Sequence, residues 1–516
     1  MKKKYFFISL FSVILLSGCQ DYLEEEPLTD VSIEFLYSTP EGLEAGVVGL
    51  YDTYRGLYTI WPNENAKSLL LNVSHDLVVG RSGYISVISH FDKAFYSTHG
   101  YGPDNFLAKI WQIHYQIIDR ANAIITATEK LDDIDEERRN TIIGEAKMHR
   151  AHSLFILWKM FNNVYITTEP TTPENVFDRV QQPSSLEEIF TRLHSDFDFA
   201  IQHLEWKTEL GRMTKALAHH LKAKAALWEE DWQTAADNAD SVINSGYYHL
   251  MSSPSQVFAG DRNHEETLYA MQLDQDKSGG GPGNLIPFNF QASYHRVEGC
   301  KLSLEQGGRG AGFIYPNDYL LGLYEDHDLR LNSYYRLKYY YNDEPNLPEG
   351  VSLGDQVIID RETDESLYYL QIAPSCQKFF DDDIPANSVV SYKNIILYRL
   401  AETHLVAAEA YMKLGNQSKA FEMISPLQER AGVEPIFNVT EIELLKEQAR
   451  ELAFEGQRWF FLKRTGQLVF QVQRFNGNDG YRDEGRGNIR DHMVNFPIPQ
   501  SELDLLGKNY PQNDGY

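Results

Sequence analysis

Two stretches of this 516-residue chain decide its fold, Ala223-Lys224-Ala225…Ala235 and Ala408-Glu409-Ala410…Ala420. In both, the alanines have the same spacing around a short turn, which lies at residues 229–232 in the first stretch and 414–416 in the second. Small side chains at these positions let two antiparallel helices approach closely, as in tetratricopeptide-type helical hairpins. Because a strict tandem period is missing, the sequence predicts a mostly all-α hairpin scaffold with large irregular loop insertions and a few short strands.

Helix-start signals and helical periodicity mark four further segments. Ser38-Thr39-Pro40-Glu41 has the spacing of a capping box and predicts a helix to about Tyr58, and Ser184-Ser185-Leu186-Glu187-Glu188 offers two overlapping boxes for a helix that ends near Leu204. Apolar residues repeat with the helical period over 104–131 and 135–161. Ala146 and Ala151 in the last of these segments indicate a third hairpin.

The helical period is lost over residues 251–394. This region contains glycine-rich runs at 278–283 and 307–312, a tyrosine cluster at 334–341 and short strand-like runs such as 356–359. So long a connection is usually functional or disordered, and its aromatic residues argue against disorder. Because loops on a rigid scaffold often carry binding residues, we predict a loop insertion that contributes to a ligand face, between an N-terminal helical region (39–250) and a C-terminal one (395–516).

The first residues predict the cellular location of the protein. Met1-Lys2-Lys3-Lys4 is basic, residues 5–16 form an apolar run much shorter than the ~20 residues of a spanning helix, and Leu16-Ser17-Gly18-Cys19 resembles a bacterial lipobox. We predict a signal peptide over 1–18 and acylation of the Cys19 thiol, so that only the lipid anchor contacts the membrane. Residues 19–38 then form an acidic tether, which either resembles a cell-surface export signal or is simply solvated.

The charge balance argues against nucleic acid as a partner. The chain has 47 Lys and Arg against 74 Asp and Glu, a net charge of -27, and loss of the three lysines in residues 1–18 brings it to -30. So acidic a surface repels phosphate backbones, and the sequence contains no concentrated basic patch to offset it.

Motifs of known catalytic sites are missing from the sequence. It contains no His-Glu-x-x-His, Gly-x-Ser-x-Gly or P-loop pattern, and the glycines of 307–312 do not keep a Gly-x-Gly-x-x-Gly spacing. Asp381-Asp382-Asp383 is either a cation site or a solvated acidic turn, and Cys300 and Cys376 are either one disulfide or two buried thiols. We therefore expect no catalytic residue, no cofactor and no established metal site.

Five segments follow the lipobox in order. They are Cys19-Gln20-Asp21-Tyr22-Leu23, Gly211-Arg212-Met213-Thr214-Lys215-Ala216, Tyr398-Arg399-Leu400-Ala401-Glu402, Glu451-Leu452-Ala453-Phe454-Glu455-Gly456-Gln457-Arg458-Trp459 and the ending Gln512-Asn513-Asp514-Gly515-Tyr516. Together they resemble the SusD/RagB family of nutrient-binding outer-membrane lipoproteins of Bacteroidetes, over essentially all of the mature chain. The charged residues in these motifs also have a structural interpretation. Glu402 and Glu409 lie on one helix face, where Arg450 or Arg458 can pair with them, and we assign them scaffold roles.

The resemblance implies a shallow aromatic site built from the N-terminal third and the middle loops. A sugar packs its C–H face on a flat ring, while Arg, Asn and Asp side chains pair with its hydroxyls. Tryptophan is scarce in both segments, which disfavours simple starch, whereas Tyr, Asn and Arg suit a more polar or charged glycan. The candidate ligand residues are Asp76, Arg81, Tyr84, Tyr96, Tyr101, Asn105, Phe288, Asn289, Tyr294 and Arg296.

The resemblance also implies the function and the partner. We expect a non-catalytic, surface-exposed lipoprotein of the outer membrane that captures an oligosaccharide or polysaccharide and delivers it to a SusC-like TonB-dependent transporter. The two proteins would bury ~2,000 Å² or more between them, as stable complexes do. A peptide-capturing protein of the RagB type is the alternative within the family, and a surface glycoside hydrolase is the alternative outside it.

Overall fold

The computed structural model describes residues 36–59, 66–81, 83–99, 106–209, 211–276 and 283–516. The predicted signal peptide, Cys19 and most of the acidic tether lie outside these residues. The helices are α1 (Pro40–Arg55), α2 (Ala66–Val73), α3 (Gly83–Ser89), α4 (Phe106–Lys130), α5 (Glu136–Phe161), α6 (Leu186–His203), α7 (Lys215–Trp228), α8 (Trp232–Ile243), α9 (Pro254–Val257), α10 (Ile286–Phe290), α11 (Asp318–Leu321), α12 (Leu329–Tyr334), α13 (Glu365–Gln371), α14 (Leu400–Lys413), α15 (Gln417–Arg430), α16 (Glu441–Leu452), α17 (Arg458–Arg464), α18 (Leu468–Phe475), α19 (Glu484–Asn488) and α20 (Gln500–Leu503). The strands are β1 (Val78–Gly80), β2 (Thr267–Met271), β3 (Ile314–Pro316), β4 (Tyr335–Arg336), β5 (Ser375–Cys376) and β6 (Ile395–Arg399).

The two alanine-spaced stretches form helical hairpins that pack against each other. The first hairpin is α7–α8 and the second is α14–α15, and α8 lies against α14. Ala223, Ala235, Ala408 and Ala420 are all fully buried in one cluster at this contact. Since an alanine side chain ends at Cβ, the helices can approach closely there. The predicted mostly all-α hairpin scaffold is confirmed.

The N-terminal helices begin and end close to where the sequence places them. The cap of α1 is Thr39, whose Oγ1 accepts a hydrogen bond from the Gly42 amide (3.1 Å), and the helix ends at Arg55, before the predicted Tyr58. Ser185 and Glu188 form the predicted capping box of α6. Helix α5 packs against both α4 and α6, with Ala146 and Ala151 fully buried, so the third predicted hairpin also forms.

The middle region is irregular, as predicted, but its strands lie elsewhere than expected. The sequence predicts a strand at 356–359, yet only Gln356 makes an isolated bridge, to Tyr340, and Ile358 is 78% exposed. The strands that do form are three antiparallel pairs, β1–β3, β2–β6 and β4–β5. A β-branched run becomes a strand only where a partner and a packed face are available, and tertiary contacts decide that.

One hydrophobic cluster runs through all three predicted regions. Its members extend from Leu43 in the N-terminal region to Tyr510 near the C-terminus. The three predicted regions therefore share one core, and the boundaries between them stay a prediction. Within the described ranges, no helix combines the length and the apolar character that crossing a membrane requires.

A buried ionic network joins the middle region to the C-terminal helices. Glu451 on α16 accepts hydrogen bonds from Arg399 (2.8 Å) and Arg330 (3.2 Å) and is ion-paired with Arg430. Glu266 on the loop before β2 pairs with Arg399 (2.8 Å) and Arg430 (2.6 Å). Burial alone would raise the pKa of Glu451, but the three arginines outweigh it and hold the pKa well below its usual range. Because buried charges persist only when paired, these segments depend on one another.

A second buried ion pair fixes the N-terminal third to the C-terminal region. Arg458 donates from Nε to Asp76 Oδ1 (2.9 Å) and from Nη2 to Asp76 Oδ2 (2.6 Å). Both residues are at most 1% exposed. Nη1 of Arg458 donates to the Leu445 carbonyl and to Gln448 Oε1, each at 2.8 Å. Asp76 lies two residues before β1, so this pair sets where that strand begins.

The scaffold acids have different partners from those suggested by the sequence. Glu402 is ion-paired with a lysine of α7, and Glu409 accepts from both Nη atoms of Arg464 (2.7 and 2.6 Å). The expectation that Arg450 or Arg458 pairs with these acids is wrong, because other carboxylates lie closer to both arginines. The scaffold role itself agrees with the burial of both glutamates.

Cys300 and Cys376 are two buried free thiols. Burial raises the pKa of Cys300 to about 11 and that of Cys376 to about 12, so both stay protonated at neutral pH. A protonated, buried thiol is a poor nucleophile. Of the two alternatives that the sequence left open, the structure contains two thiols and no bond between them.

Replacing Asp76 by Asn leaves the Arg458 guanidinium buried without a counter-charge. We expect Asp76→Asn to lower the free energy of unfolding by about 3–5 kcal/mol, measured by urea denaturation. Asp479→Asn is the matched control, because Asp479 is 97% exposed in its ion pair with Arg486 and should contribute about 1 kcal/mol or less. Equal losses in the two variants would contradict the role assigned to Asp76.

Candidate ligand-binding site

Strand β1 brings the two predicted ligand segments together. It pairs antiparallel with β3, so that Arg81, directly after β1, lies beside Phe313, directly before β3. The Arg81 amide donates to the Phe313 carbonyl (2.8 Å), and on the other side of the strand the Gly477 amide donates to the Val78 carbonyl (3.0 Å). The N-terminal third, the middle loops and a C-terminal loop therefore meet at β1.

Arg81 supports the glycine-rich run at 307–312. Its Nε donates to the Gly312 carbonyl (2.5 Å), its Nη2 donates to the Ala311 carbonyl (3.1 Å), and its guanidinium carbon lies 5.9 Å from the Phe313 ring centroid. The Ala311 amide in turn donates to the Phe288 carbonyl (2.9 Å). The rings of Phe288 and Phe313 are 6.5 Å apart, centroid to centroid, at an interplanar angle of 72°.

Two glycines permit this close packing of loop on loop. A Cβ added to Gly310 would lie 2.0 Å from the Gln291 carbonyl oxygen, far inside van der Waals contact. Gly312 has φ +61°, and a Cβ there would lie 2.1 Å from Oη of Tyr315. Only glycine combines the left-handed conformation with so close an approach. The glycine-rich run thus serves loop packing, in keeping with its lack of a dinucleotide-binding spacing.

The C-terminal loop adds a supported ring beside β1. Tyr481 stacks on Tyr369 with centroids 3.8 Å apart and planes 3° from parallel. Asn478 holds this stack by donating from Nδ2 to the Tyr369 hydroxyl (2.6 Å). Burial raises the pKa of Tyr481, and the positive charges of Arg482 and Arg81 only partly oppose that rise. The Tyr481 hydroxyl is therefore protonated at neutral pH and can donate a hydrogen bond.

Two exposed arginines border the site from the middle loops. Arg296 ends a 3₁₀ turn at Tyr294–Arg296, and Arg309 lies in the glycine-rich run. The Arg296 carbonyl accepts a hydrogen bond from Gln371 Nε2 (3.4 Å) on α13, the helix that carries Tyr369, and Arg309 lines a small cleft together with Phe288. The arginine–ring face is the name we give to this partly exposed set, Arg81, Phe288, Arg296, Arg309, Phe313, Tyr481 and Arg482.

The predicted ligand residues divide into a partly exposed group and a buried group. Arg81, Phe288 and Arg296 lie on the arginine–ring face. Tyr84 is half-buried on α3, which packs against β1, and its ring centroid lies 5.7 Å from that of Phe106. Tyr101 and Asn105 lie outside the described residues. The buried candidates are Asp76 (0% exposed), Tyr294 (0%), Asn289 (3%) and Tyr96 (4%).

The buried candidates are engaged by other residues of the core. Tyr96 stacks on Phe91 and on Phe496, with centroids 5.2 and 5.7 Å away. Tyr294 stacks on Tyr339 (5.3 Å), and its hydroxyl donates to the Ser303 carbonyl (2.9 Å). Asp76 is engaged by Arg458, and Asn289 donates to the carbonyl of Leu285 (3.0 Å). These four side chains present almost no surface to a ligand in this structure, so we leave them out of the proposed site.

Four members of the face were not predicted as ligand residues. Arg309 and Phe313 lie within and directly after the glycine-rich run, and Tyr481 and Arg482 follow the turn-rich run Asn476-Gly477-Asn478-Asp479-Gly480. The sequence feature that could have identified these four residues is a run of turn-forming residues next to an aromatic or positively charged residue. The sequence could not show that these two distant loops both pack beside β1.

The acidic triplet 381–383 is largely engaged by its neighbours. Asp381 accepts from Ser391 Oγ (2.6 Å), and Asp382 is ion-paired with Lys393. One carboxylate oxygen from each of the three aspartates lies within 4.8 Å of the others. Local hydrogen bonds account for this turn, and we derive no cation site from it.

A separate cleft of about 650 Å³ lies between the hairpins and the C-terminal helices. Its walls include Trp228, Trp232, Phe461 and Phe470. Charged groups at this cleft pair with one another, as Lys413 does with an acid of α16. The cleft shares no residue with the arginine–ring face, and its aromatic residues can serve as controls for it.

Substitution of Gly310 tests whether close loop packing shapes the face. Gly310→Ala places a methyl group against the Gln291 carbonyl, so we expect a loss of about 1–3 kcal/mol in the free energy of unfolding by urea denaturation. Gly487→Ala is the control, because an added Cβ there meets nothing within 4 Å. A Gly310 variant as stable as this control would contradict the proposed packing.

Comparison with known proteins places this architecture in one family. The SusD family model matches residues 265–516, and a SusD-like model described as "starch-binding associating with outer membrane" matches 21–227. The SusD-like protein P25 of Formosa agariphila is 25% identical over 561 aligned positions that cover all of both chains. A laminarin-binding SusD-like protein has a similar fold (TM-score 0.73, 23% identity, 92% of this chain and 99% of that one). So does surface glycan-binding protein A of Bacteroides thetaiotaomicron in complex with laminarihexaose (TM-score 0.72, 19% identity, 92% and 99%). The chain therefore belongs to the SusD family.

Proposed function

We propose that this protein is a non-catalytic glycan-binding lipoprotein of the outer membrane, which binds an oligosaccharide on the arginine–ring face. The observation that carries the proposal is the meeting of the two sequence-predicted segments at β1, where the half-buried rings of Phe288, Phe313 and Tyr481 are held by backbone bonds and ring stacking. A rigid ring with one free side gives a sugar's C–H face a flat apolar surface at little entropic cost. The neighbouring guanidinium groups supply donors for the sugar's oxygen atoms.

The names of related proteins support the substrate class. One matching family model carries starch binding in its description, one solved relative is named for laminarin binding, and another is a complex with laminarihexaose. These ligands differ from one another in linkage, while all of them are glycans. These names support glycans as the substrate class and leave the particular sugar open.

The chemistry of the face suits binding better than hydrolysis. Glycoside hydrolysis needs two carboxyl groups about 5–10 Å apart on either side of the scissile bond. The members of the arginine–ring face are guanidinium groups, phenyl rings and a phenol. Of the acids beside them, Asp381 is buried and engaged by Ser391 Oγ (2.6 Å), and Glu365 lies near Tyr481. A reducing-sugar assay on the bound polysaccharide tests this point, and turnover that a single carboxylate substitution abolishes would overturn the non-catalytic assignment.

Ring removal on the face tests glycan binding directly. In a glycan array and in affinity gels, we expect Phe288→Ala and Tyr481→Ala each to weaken binding to the retained glycan about tenfold, which is 1.4 kcal/mol. Trp232→Ala, in the separate cleft, removes a ring of similar exposure and should leave binding unchanged. Retention of peptides in place of glycans would favour the RagB-type alternative, and equal losses in all three variants would contradict the assignment of the face.

Delivery to a transporter is the second part of the proposal. The predicted Cys19 anchor would hold the protein at the outer membrane, next to a SusC-like TonB-dependent transporter. We expect the lipidated protein to co-purify with such a transporter from detergent-solubilised membranes, because an interface of ~2,000 Å² or more survives purification. A lipidated protein that never co-purifies with a transporter would argue against delivery and leave glycan binding untouched.

A further inference from the structure

Tyr369, the ring on which Tyr481 stacks, also lies against the arginine of a surface ion pair. The guanidinium carbon of Arg361 is 5.2 Å from the Tyr369 ring centroid and 5.9 Å from that of Tyr368. The rings of Tyr368 and Tyr369 are 5.2 Å apart, centroid to centroid, at an interplanar angle of 90°. Aromatic surface therefore continues from Tyr481 to Tyr368, with Arg361 next to both tyrosines of α13.

Arg361 forms a two-point ion pair with Asp318, which lies two residues after β3. Nη1 of Arg361 donates to Asp318 Oδ1 (2.9 Å), and Nη2 lies 2.8 Å from Oδ2. The Arg361 side chain is 33% exposed and that of Asp318 is 57% exposed. Because an ion pair this open to water contributes little to stability, the fold gains little from having it beside the rings.

Asn478 joins this ion pair to the tyrosine stack. Its Oδ1 accepts a hydrogen bond from the Asp318 amide (2.7 Å), and its Nδ2 donates to the Tyr369 hydroxyl (2.6 Å). Its carbonyl accepts from the Tyr481 amide (2.9 Å). Asn478 itself is 4% exposed. One buried residue thus fixes the acid, the supporting ring and the outer ring relative to one another.

The ion pair keeps unused hydrogen-bonding capacity. A guanidinium group has more N–H donors, and a carboxylate more lone pairs, than a two-point contact uses. In the part of the chain that the structure describes, no other group accepts a hydrogen bond from the Arg361 side chain or donates one to the Asp318 carboxylate. The pair therefore offers donors and acceptors side by side with its two charges balanced. Neighbouring sugar hydroxyls, which both donate and accept, match such a pair, whereas an anionic group would be repelled by Asp318.

We infer that Arg361, Asp318 and Tyr368 form a second sugar subsite, adjacent to Tyr481, for an uncharged sugar unit with two neighbouring free hydroxyls. This inference rests on the proposed glycan binding and deepens it, because a ligand that occupies both places is a chain of two or more sugar units. The half-buried Tyr368 ring packs against the C–H face of the sugar, and the ion pair binds its hydroxyls.

The dependence of affinity on chain length tests the inference on the full-length protein in non-ionic detergent. The probes run from disaccharide to octasaccharide in the laminarin and starch series, and in the series of any other polysaccharide that the affinity gels retain. We expect isothermal titration calorimetry to show a rise in affinity of about tenfold at the length at which the chain first reaches the subsite. Sulfated oligosaccharides of the same lengths should show no such rise, because sulfate is repelled by the Asp318 carboxylate.

Substitutions localise the rise. Arg361→Gln breaks the ion pair and should abolish the rise while the shortest bound oligosaccharides keep their affinity, and Tyr368→Ala should remove most of it. Arg138→Gln is the matched control, because Arg138 is 32% exposed in its ion pair with a glutamate, outside both the face and the subsite, and it should keep the rise. An equal loss at every chain length in the Arg361 variant would overturn the subsite, because it would show that Arg361 only supports the Tyr369–Tyr481 stack.

The remaining outcomes separate this inference from the proposed function. Affinity that is the same at every length, or a rise that Arg361→Gln leaves intact, would overturn the subsite while glycan binding stands. A rise seen only with the sulfated probes would overturn the assignment to an uncharged sugar unit. If neither a broad glycan array nor any of the oligosaccharides gives binding, the proposed function fails and the inference fails with it.

Discussion

The buried ion pair between Asp76 and Arg458 fixes the start of β1, and β1 is the strand on which the ligand face is assembled. One edge of this strand aligns Arg81 with Phe313, and the other holds the loop that carries Tyr481. The pair joins segments 382 residues apart, so the position of β1 depends on contacts with the C-terminal helices. Since neither charge has access to water, the correct docking of these segments is the arrangement that satisfies both groups.

The network around Glu451 applies the same constraint to the middle region. Three arginines from three different elements converge on this carboxylate, and each would be left buried without a partner if its segment docked elsewhere. A long irregular segment has few regular backbone hydrogen bonds that could determine where it packs. In the middle region, buried ion pairs therefore take over part of that role.

Charge has opposite roles in the core and on the ligand face. In the core, acids and arginines neutralise one another and serve the fold. On the face, Arg81 donates to backbone carbonyls of the glycine-rich run, while the side chains of Arg296 and Arg309 are exposed. The sequence contains no concentrated basic patch, because the arginines of the face come from four separate segments.

The sequence by itself determined the helical hairpins, the approximate limits of α1, α4, α5 and α6, and the family. Alanine spacing, caps and periodicity are local properties, and the hairpins at Ala223 and Ala408 follow from them directly. It also located the two segments that meet at β1 and named Arg81, Phe288 and Arg296 as ligand candidates there. Arg296 is exposed and the other two are half-buried, and their ligand role stays a prediction. Only the tertiary structure decided that Asp76 and Tyr294 are buried, that residues 356–359 form no strand, and that Phe313 and Tyr481 join the face. Burial, strand pairing and the meeting of distant loops depend on contacts between segments remote in the chain. Residue type and spacing, which are local properties, do not predict those contacts.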